Sequence, residues 1–196
     1  KGIYDALIGE VPVEDALVHT KYGDVLPSNK ALAGAGIELI GMERREFLLR
    51  DALDKVKDRY DFLFIDCPPS LELLTLNALC AADAILVPVQ GEYYALEGLS
   101  DLMKTVRIVR RSLNPRLELD GVLLTMFDGR TNLALQVAEE VKHYFPGKVY
   151  ATVIPRNVRL SEAPSHGKPI TAYDRTSRGA EAYTAFAAEF LKKQSA

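Results

Sequence analysis

The chain has 196 residues, of which 48% are hydrophobic and 26% charged, and its formal net charge is −3. This composition is typical of a soluble globular protein, and no apolar run reaches the roughly 18 residues that a bilayer-spanning helix needs. Cys67 and Cys80 lack the spacing of a disulfide framework and the first residues lack the pattern of a secretion signal, so a reducing cytoplasm is the expected compartment.

The length predicts one domain over residues 1–196, because domains commonly contain about 100–200 residues. Charge is divided unevenly along it. Residues 1–100 carry 9 basic and 17 acidic side chains, whereas residues 101–196 carry 15 and 10. A basic second half is compatible with a polyanion-binding face, although scattered solvated side chains are the commoner explanation.

Helices and strands are expected to alternate along the chain. Before the main pattern, we expect a helical stretch at 3–8, a short strand at 24–26 and an amphipathic helix at 45–60. Four apolar runs then have strand length: 62–65, 84–89, 121–126 and 149–154. Segments with helical periodicity follow these runs: 71–82, 96–113, 132–145 and 177–192.

This alternation predicts an α/β fold with a mostly parallel β-sheet flanked by helices on both sides, since buried parallel strands are apolar on both faces. Ligands of such sheets bind beyond the carboxyl ends of the strands. We therefore expect Asp66, Gln90, Thr125 and Pro155, which end or follow the four strands, to lie on one rim.

The carboxylate of Asp66 follows an apolar run, which is where P-loop NTPases hold Mg²⁺, often through water. The competing interpretation is an ordinary Asp that caps the next turn. Pro68 and Pro69 would stiffen the loop after it, because each proline fixes φ and removes a donor.

Several motifs together resemble one family. The segment Asp66-Cys67-Pro68-Pro69-Ser70 is similar to the Walker B segment of the ParA/MinD superfamily of deviant Walker-A ATPases. Three further blocks resemble its ParA/Soj branch: VPVQGEYYALEG at 87–98, LTMFDGRTN at 124–132 and VIPRNVRLSEAPSHGK at 153–168. The resemblance runs through essentially the whole chain, and the last block is the most diagnostic.

The resemblance implies a cytoplasmic, nucleoid-associated DNA-segregation ATPase of P-loop type that uses ATP and Mg²⁺. Family members of this kind form an ATP-bound homodimer, bind DNA without sequence preference, and hydrolyse ATP when a ParB-type protein stimulates them. No membrane partner is implied. Glu92, Tyr93 and Tyr94 would lie at the dimer interface, although adjacent tyrosines are more often simple packing.

Site residues carry over from the resemblance one by one. Asp66 would hold Mg²⁺ indirectly as the Walker B carboxylate. Pro155, Arg156 and Asn157 match the stretch around adenine and ribose, with an ordinary strand-to-helix turn as the alternative. Arg130 and Arg159 match arginines thought to contact DNA, with surface ion pairs as the alternative, for example Arg130 with Asp128.

The sequence also departs from the family. Neither G-x-x-x-x-G-K-[ST] nor the lysine-rich deviant loop occurs in these 196 residues. The resemblance places that loop in at least one βαβ unit before residue 1. Because phosphoryl transfer depends on positioning and charge stabilisation, we expect the chain alone to be inactive, whereas the parent protein would be an ATP hydrolase.

Two alternatives remain from other classes. One is a MinD-like membrane-cycling positioning ATPase, which would need a basic amphipathic helix at the end of the chain. The apolar spacing of residues 180–192 favours packing instead. The other is a folded interaction module without a ligand. His19, His143 and His166 are not clustered, so a zinc site is not expected.

Overall fold

The computed structural model describes residues 1–68, 70 and 72–195, and the chain forms two compact units. The first unit comprises Lys1–Asp83 and Lys104–Glu118, and the second comprises Ala84–Met103 and Leu119–Ala196. The prediction that residues 1–196 form a single domain stays a prediction. The elements in chain order are α1 (Ile3–Leu7), α2 (Val13–Ala16), β1 (Val18–Thr20), β2 (Gly23–Val25), α3 (Leu32–Leu39), α4 (Leu48–Leu53), α5 (Leu73–Ala81), β3 (Ala84–Gln90), α6 (Ala95–Ser112), β4 (Glu118–Thr125), α7 (Asn132–Tyr144), α8 (Val158–Glu162), α9 (Ile170–Tyr173) and α10 (Arg178–Gln194).

Helices make up most of the first unit. Leu7, Ala35, Leu39, Leu49 and Ala78 are buried together, and they bring α1, α3, α4 and α5 around one apolar cluster. The strands β1 and β2 form an exposed antiparallel hairpin. Burial of aliphatic side chains is therefore the main stabilising contribution in this unit.

The expected strand at 62–65 is wrong, since the structure assigns no strand there and both sheets of the described residues are built from other segments. Phe62, Leu63 and Phe64 are 43%, 42% and 73% exposed. Apolar character on both faces predicts a central strand, but a run becomes a strand only when neighbouring backbone takes its hydrogen bonds. The apolar pattern identifies a run that is suited to a strand, but it does not show whether another segment pairs with that run.

A parallel sheet forms the centre of the second unit. β3 and β4 are neighbours, and residues 149–155 run beside β4 through parallel bridges at Val122–Val149 and Phe127–Pro155. The expected fold class, α/β with a parallel sheet, is therefore confirmed.

Helices cover both faces of this sheet. Val122 and Leu124 of β4 face one apolar cluster with Leu99 of α6 and Val137 of α7. Between them, Leu123 faces the opposite way, into a cluster with α10. The alternation follows from the two-residue period of a strand and explains why β4 is apolar at successive positions.

The segment predicted as a strand at 149–154 is not a regular strand, because within it only Val149 forms a bridge and a bulge separates it from the bridge at Pro155. Tyr150 N donates to Val122 O at 2.9 Å, and Ile154 N donates to Leu124 O at 2.9 Å. Between these two hydrogen bonds the segment advances by four residues, whereas β4 advances by two. Glu189 of α10 accepts from the displaced amides, with 2.7 Å from Ala151 N to Oε1 and 2.8 Å from Thr152 N to Oε2.

The four helices expected after the strands correspond to α5, α6, α7 and α10, although the expected start of the first, Leu71, lies outside the described residues. Polar caps set their limits: Thr131 Oγ1 accepts from Ala134 N, and Ser177 Oγ accepts from Ala180 N. The expected helix at 45–60 is shorter, because α4 covers Leu48–Leu53 and a separate turn of 3-10 helix covers Lys57–Arg59.

Candidate functional site

Strand ends of the second unit meet at one rim. Thr125 Oγ1 at the end of β4 donates to Val89 O at 3.5 Å, near the end of β3. Phe127 N donates to Ile154 O at 3.1 Å, which brings Pro155 to the same rim. Three of the four expected rim positions therefore belong to one edge, and the place of Asp66, in the first unit, stays a prediction.

Asp66 lies at the end of the run 61–66, which has no regular secondary structure, and is exposed. After it, Ser70 N donates to Pro68 O at 2.8 Å, and Pro69 lies outside the described residues. Within residues 1–68, 70 and 72–195, no group of three or more His, Cys, Asp or Glu side chains could hold a metal ion. The Asp66 carboxylate is a hard oxygen donor of the kind that Mg²⁺ takes together with water and phosphate oxygens, and its role as a Mg²⁺ ligand stays a prediction.

The expected nucleotide stretch forms the turn between the last bridge and α8. Arg156 N donates to Phe127 O at 3.3 Å, and Asn157 Oδ1 accepts from Arg159 N at 2.9 Å as the helix cap. The cap engages the side-chain oxygen of Asn157, so contacts to a base there would come from its amide nitrogen or from the backbone.

Arg130 forms a two-pronged ion pair with Asp128. Its Nε lies 2.8 Å from Oδ1 and its Nη2 lies 2.6 Å from Oδ2, while 89% of the arginine side chain is exposed. The guanidinium and the Arg130 backbone amide hold the pKa of Asp128 at about 2, well below its usual value. The carboxylate is therefore charged at neutral pH and offsets part of the field of Arg130.

Arg159 is also paired, on α8. Its Nη1 donates to Glu162 at 2.8 Å, and its Nε lies 3.3 Å from the Asp174 carboxylate. Tyr173 Oη donates to the same Glu162 at 3.0 Å, and these two donors lower the pKa of Glu162. Both arginines expected to contact DNA are thus in surface ion pairs in this structure, and a role in binding DNA stays a prediction.

A groove of about 880 Å³ lies between the 127–130 loop and the start of α10. Its apolar lining includes Phe127, Val153, Ala182 and Ala185, and its charged lining consists of Asp128, Arg130, Arg156, Arg178 and Glu181. We call this the arginine groove.

Tyr93 and Tyr94, expected at a dimer interface, are 75% and 74% exposed. Their rings contact each other edge to face with centroids 5.3 Å apart. They are therefore on the surface of the second unit and not in its core, and their interface role stays a prediction.

Sequence reasoning missed Arg178, Glu181 and Glu189. All three lie on α10, where the apolar spacing indicates the buried face of the helix and says nothing about its polar side chains. The excess of basic side chains after residue 100 was the available signal for Arg178. Nothing in the sequence marks Glu189, because its partners are backbone amides. No helix in the described part of the chain combines the length and apolarity needed to cross a bilayer.

Comparison with known proteins identifies close relatives. Residues 1–119 match a family described as an AAA domain. The chain is 59% identical over 189 residues to the sporulation initiation inhibitor protein Soj of Bacillus subtilis, covering 95% of this chain and 75% of Soj. It is 53% identical over 193 residues to the chromosome partitioning protein ParA of Myxococcus xanthus, covering 97% of this chain and 68% of that protein.

Solved structures share the fold. A structure of cobyrinic acid a,c-diamide synthase from Mycobacterium smegmatis with a bound ATP analogue and magnesium has a TM-score of 0.84 at 36% identity, covering 100% of this chain and 73% of that one. The cell division ATPase MinD of Pyrococcus furiosus has a TM-score of 0.75 at 26% identity, covering 98% and 76%. The identity to Soj and ParA, together with the motifs at the strand ends, shows that this chain belongs to the ParA/Soj family of chromosome partitioning ATPases within the ParA/MinD superfamily.

Proposed function

We propose that these residues are part of a DNA-segregation ATPase that dimerises on ATP, coats DNA without sequence preference, and is switched off when a ParB-type protein stimulates hydrolysis. The observation that carries this proposal is the 59% identity to Soj over 95% of the chain. The likeness to the diamide synthase is weaker at 36% identity, so it supports a nucleotide-binding fold more than a shared substrate.

Asp66 is the carboxylate of the phosphoryl-transfer site in this proposal. Mg²⁺, when bound, would supply positive charge that stabilises the charge developing on the phosphates. Asp66, at the end of the 61–66 run, would hold the ion through its carboxylate or through a water molecule. A neighbouring structure containing an ATP analogue and magnesium supports both ligands for this fold.

Pro155, Arg156 and Asn157 form the nucleotide stretch of the proposal. The turn is held by the bridge to Phe127 and by the Asn157 cap, so its backbone is pre-positioned before a ligand arrives. A fixed backbone can recognise the edge of a base at a small entropic cost.

The sequence contains no glycine-rich loop of the kind that cradles phosphates in P-loop ATPases. The chain alone is therefore proposed to be inactive, and the intact protein is proposed to hydrolyse ATP. Homodimerisation, the ParB-type partner and nucleoid association are parts of the same proposal.

The test uses the intact protein, with DNA affinity measured by fluorescence anisotropy on two duplexes of unrelated sequence. Binding should require ATP, should be equal for both duplexes and should weaken in Arg130→Ala and Arg159→Ala. Hydrolysis without DNA should survive both substitutions. Tight binding to one duplex alone, or binding that ignores the nucleotide, would contradict the proposal.

The MinD-like alternative predicts attachment to lipid through the last helix. α10 instead packs Phe186 and Phe190, both partly buried, against the cluster that contains Tyr150, with the Phe186 and Tyr150 rings edge to face at 5.0 Å. Those side chains are not available to a bilayer unless the helix leaves the sheet. Sedimentation of the intact protein with anionic vesicles, with and without ATP, separates the two functions, and co-sedimentation would favour the membrane one.

A further inference from the structure

The segment that leads to the nucleotide stretch does not keep a regular register with β4. Parallel bridges pair Val149 with Val122 and Pro155 with Phe127, so the segment advances by six residues while β4 and its continuation advance by five. An unbroken parallel register would place residue 154 opposite Phe127. Because successive side chains of an extended chain point to opposite faces, one extra residue reverses the face that each later side chain takes. The bulge therefore sets which residue of the segment lies beside Phe127 at the rim.

Glu189 of α10 holds the bulge through the two amides that do not reach β4. Its Oε1 accepts from Ala151 N at 2.7 Å and its Oε2 accepts from Thr152 N at 2.8 Å, so each carboxylate oxygen fixes one amide. Hydrogen bonds to a charged acceptor are among the stronger ones in proteins. The carboxylate is half-buried, which strengthens them further by keeping water away. The path of the bulge therefore depends on one side chain.

The helix that carries this carboxylate is anchored on the sheet around it. Phe186 lies about one turn before Glu189, and its ring contacts the Tyr150 ring edge to face with centroids 5.0 Å apart. Phe190 follows directly and packs against the same cluster, which also contains Ile154 at 2% exposure. Ile154 is the residue directly before the nucleotide stretch. α10 therefore presents a fixed carboxylate to the backbone that leads into the rim.

We propose that Glu189 is a positioning residue for the nucleotide, because it fixes the bulge that sets the place of the nucleotide stretch, residues 155–157, at the rim. The inference rests on the proposed function, in which that stretch surrounds adenine and ribose. Bulges commonly lie next to functional sites, where they re-aim the chain. Glu189 acts through the backbone of residues 151–155 and not by touching the nucleotide.

The hydrogen bonds beyond the bulge do not fix the stretch as firmly. Phe127 N donates to Ile154 O at 3.1 Å and Arg156 N donates to Phe127 O at 3.3 Å, distances near or beyond the long end of the usual range. The Asn157 cap fixes the start of α8, but it is local to the turn itself. A bulge that loses Glu189 is therefore expected to shift the turn with it.

The experiment compares two ligands of the intact protein that share the phosphates but not the base, Mg-ATP and inorganic triphosphate with Mg²⁺. A displaced base site should weaken ATP and leave triphosphate unchanged. We expect Glu189→Ala to raise the Kd of ATP about tenfold, and Glu189→Gln, which keeps one acceptor oxygen, to raise it less. In basal hydrolysis the KM for ATP should rise while kcat changes little, because the lost contacts are made equally in the ground and transition states.

Asp120→Ala is the matched control. Asp120 accepts from Tyr150 Oη at 2.5 Å and from Gln194 Nε2 at 2.9 Å, so it ties the last turn of α10 to the start of β4, away from the rim. Like Glu189→Ala, it removes a carboxylate that joins α10 to the sheet, but it leaves the bulge amides engaged. Asp120→Ala should lower the temperature of thermal unfolding and keep both ligand affinities.

The outcomes separate this inference from the proposed function. A selective loss of ATP affinity in Glu189→Ala, absent from Asp120→Ala, supports the positioning role. If Glu189→Ala keeps the full preference for ATP over triphosphate, or if both variants weaken the two ligands alike, the inference is overturned and the proposed function stands. Equal affinity of the unaltered protein for ATP and triphosphate would mean that no base is recognised, which overturns the inference alone. Failure of the unaltered protein to bind ATP would overturn both.

Discussion

At the scale of single residues, Glu189 shows how one carboxylate holds an irregular backbone. It accepts hydrogen bonds from Ala151 N and Thr152 N, the two amides that the bulge removes from the sheet. Burial alone would raise the pKa of Glu189, but the hydrogen bonds from Thr152 and Ala151 outweigh it and lower the pKa. The charged form is therefore the one that the folded state prefers.

Replacing it in Glu189→Gln leaves one acceptor oxygen for two donors. We expect a loss of about 1 kcal/mol of unfolding free energy at neutral pH, since the amides are partly solvated. Because the folded-state pKa is lowered, the contribution is present above the usual Glu pKa and disappears as pH falls through the folded value. Urea unfolding of both proteins at pH 7 and near pH 3 checks this, and a difference that grows towards low pH would contradict it.

In the first unit, the buried side chain of Asn77, which is 1% exposed, likewise holds backbone groups through hydrogen bonds. Its Oδ1 accepts from Leu49 N at 3.1 Å, and its Nδ2 donates to Arg45 O at 2.7 Å and Leu73 O at 3.0 Å. One amide therefore ties α5 to the start of α4.

We expect Asn77→Ala to lower the free energy of unfolding by about 1–3 kcal/mol, because the buried backbone groups that bond to the Asn77 amide lose their partner. Asn77→Asp should cost more at pH 7, since a charged carboxylate would face two carbonyl oxygens, and less at acid pH, where the protonated acid can donate. The exposed Asn132 of α7 is the control, and Asn132→Ala should change stability little. Equal losses in Asn77→Ala and Asn132→Ala would contradict this role.

At the scale of elements, the 148–150 segment lies so close to Gly121 of β4 that a larger side chain does not fit there. A Cβ there would lie 2.6 Å from the Tyr150 ring and 2.9 Å from Lys148 O, which is backbone. Gly98 of α6 has open space around its Cβ position. Replacing glycine by alanine should therefore lower stability at Gly121 and raise it at Gly98.

Gly121→Ala should destabilise by about 1–3 kcal/mol through overpacking. Gly98→Ala should stabilise by about 0.5–1 kcal/mol, because glycine in a helix interior carries an entropic cost. Thermal unfolding of both variants and the parent is the measurement. A neutral Gly121→Ala would show that β4 and the 149–155 segment separate easily.

Across the whole molecule, local sequence pattern predicted the elements that pack against other described elements. β3, β4, α6, α7 and α10 follow directly from apolar runs and helical spacing, and their burial agrees. The run at 62–65 has the same composition but is not a strand here, because pairing depends on a neighbour and not on the run itself. Among site residues, Arg130, its partner Asp128 and Arg159 could be singled out from the sequence, whereas the partners of Arg159, Glu162 and Asp174, required coordinates. Arg178 could be identified only from its position in the lining of the arginine groove.

The last prediction concerns nucleotide chemistry of the 196-residue chain. Phosphate binding by this fold needs several backbone N–H donors and a lysine, and the sequence has no glycine-rich loop that provides them. Isothermal titration with Mg-ATP should therefore give no measurable affinity for the chain, and phosphate release should equal that of buffer, while the intact protein binds and hydrolyses ATP. Asp66→Ala in the intact protein should abolish turnover, since the cation loses its carboxylate. Micromolar affinity with turnover by the chain alone would mean that residues 1–196 contain the phosphate site.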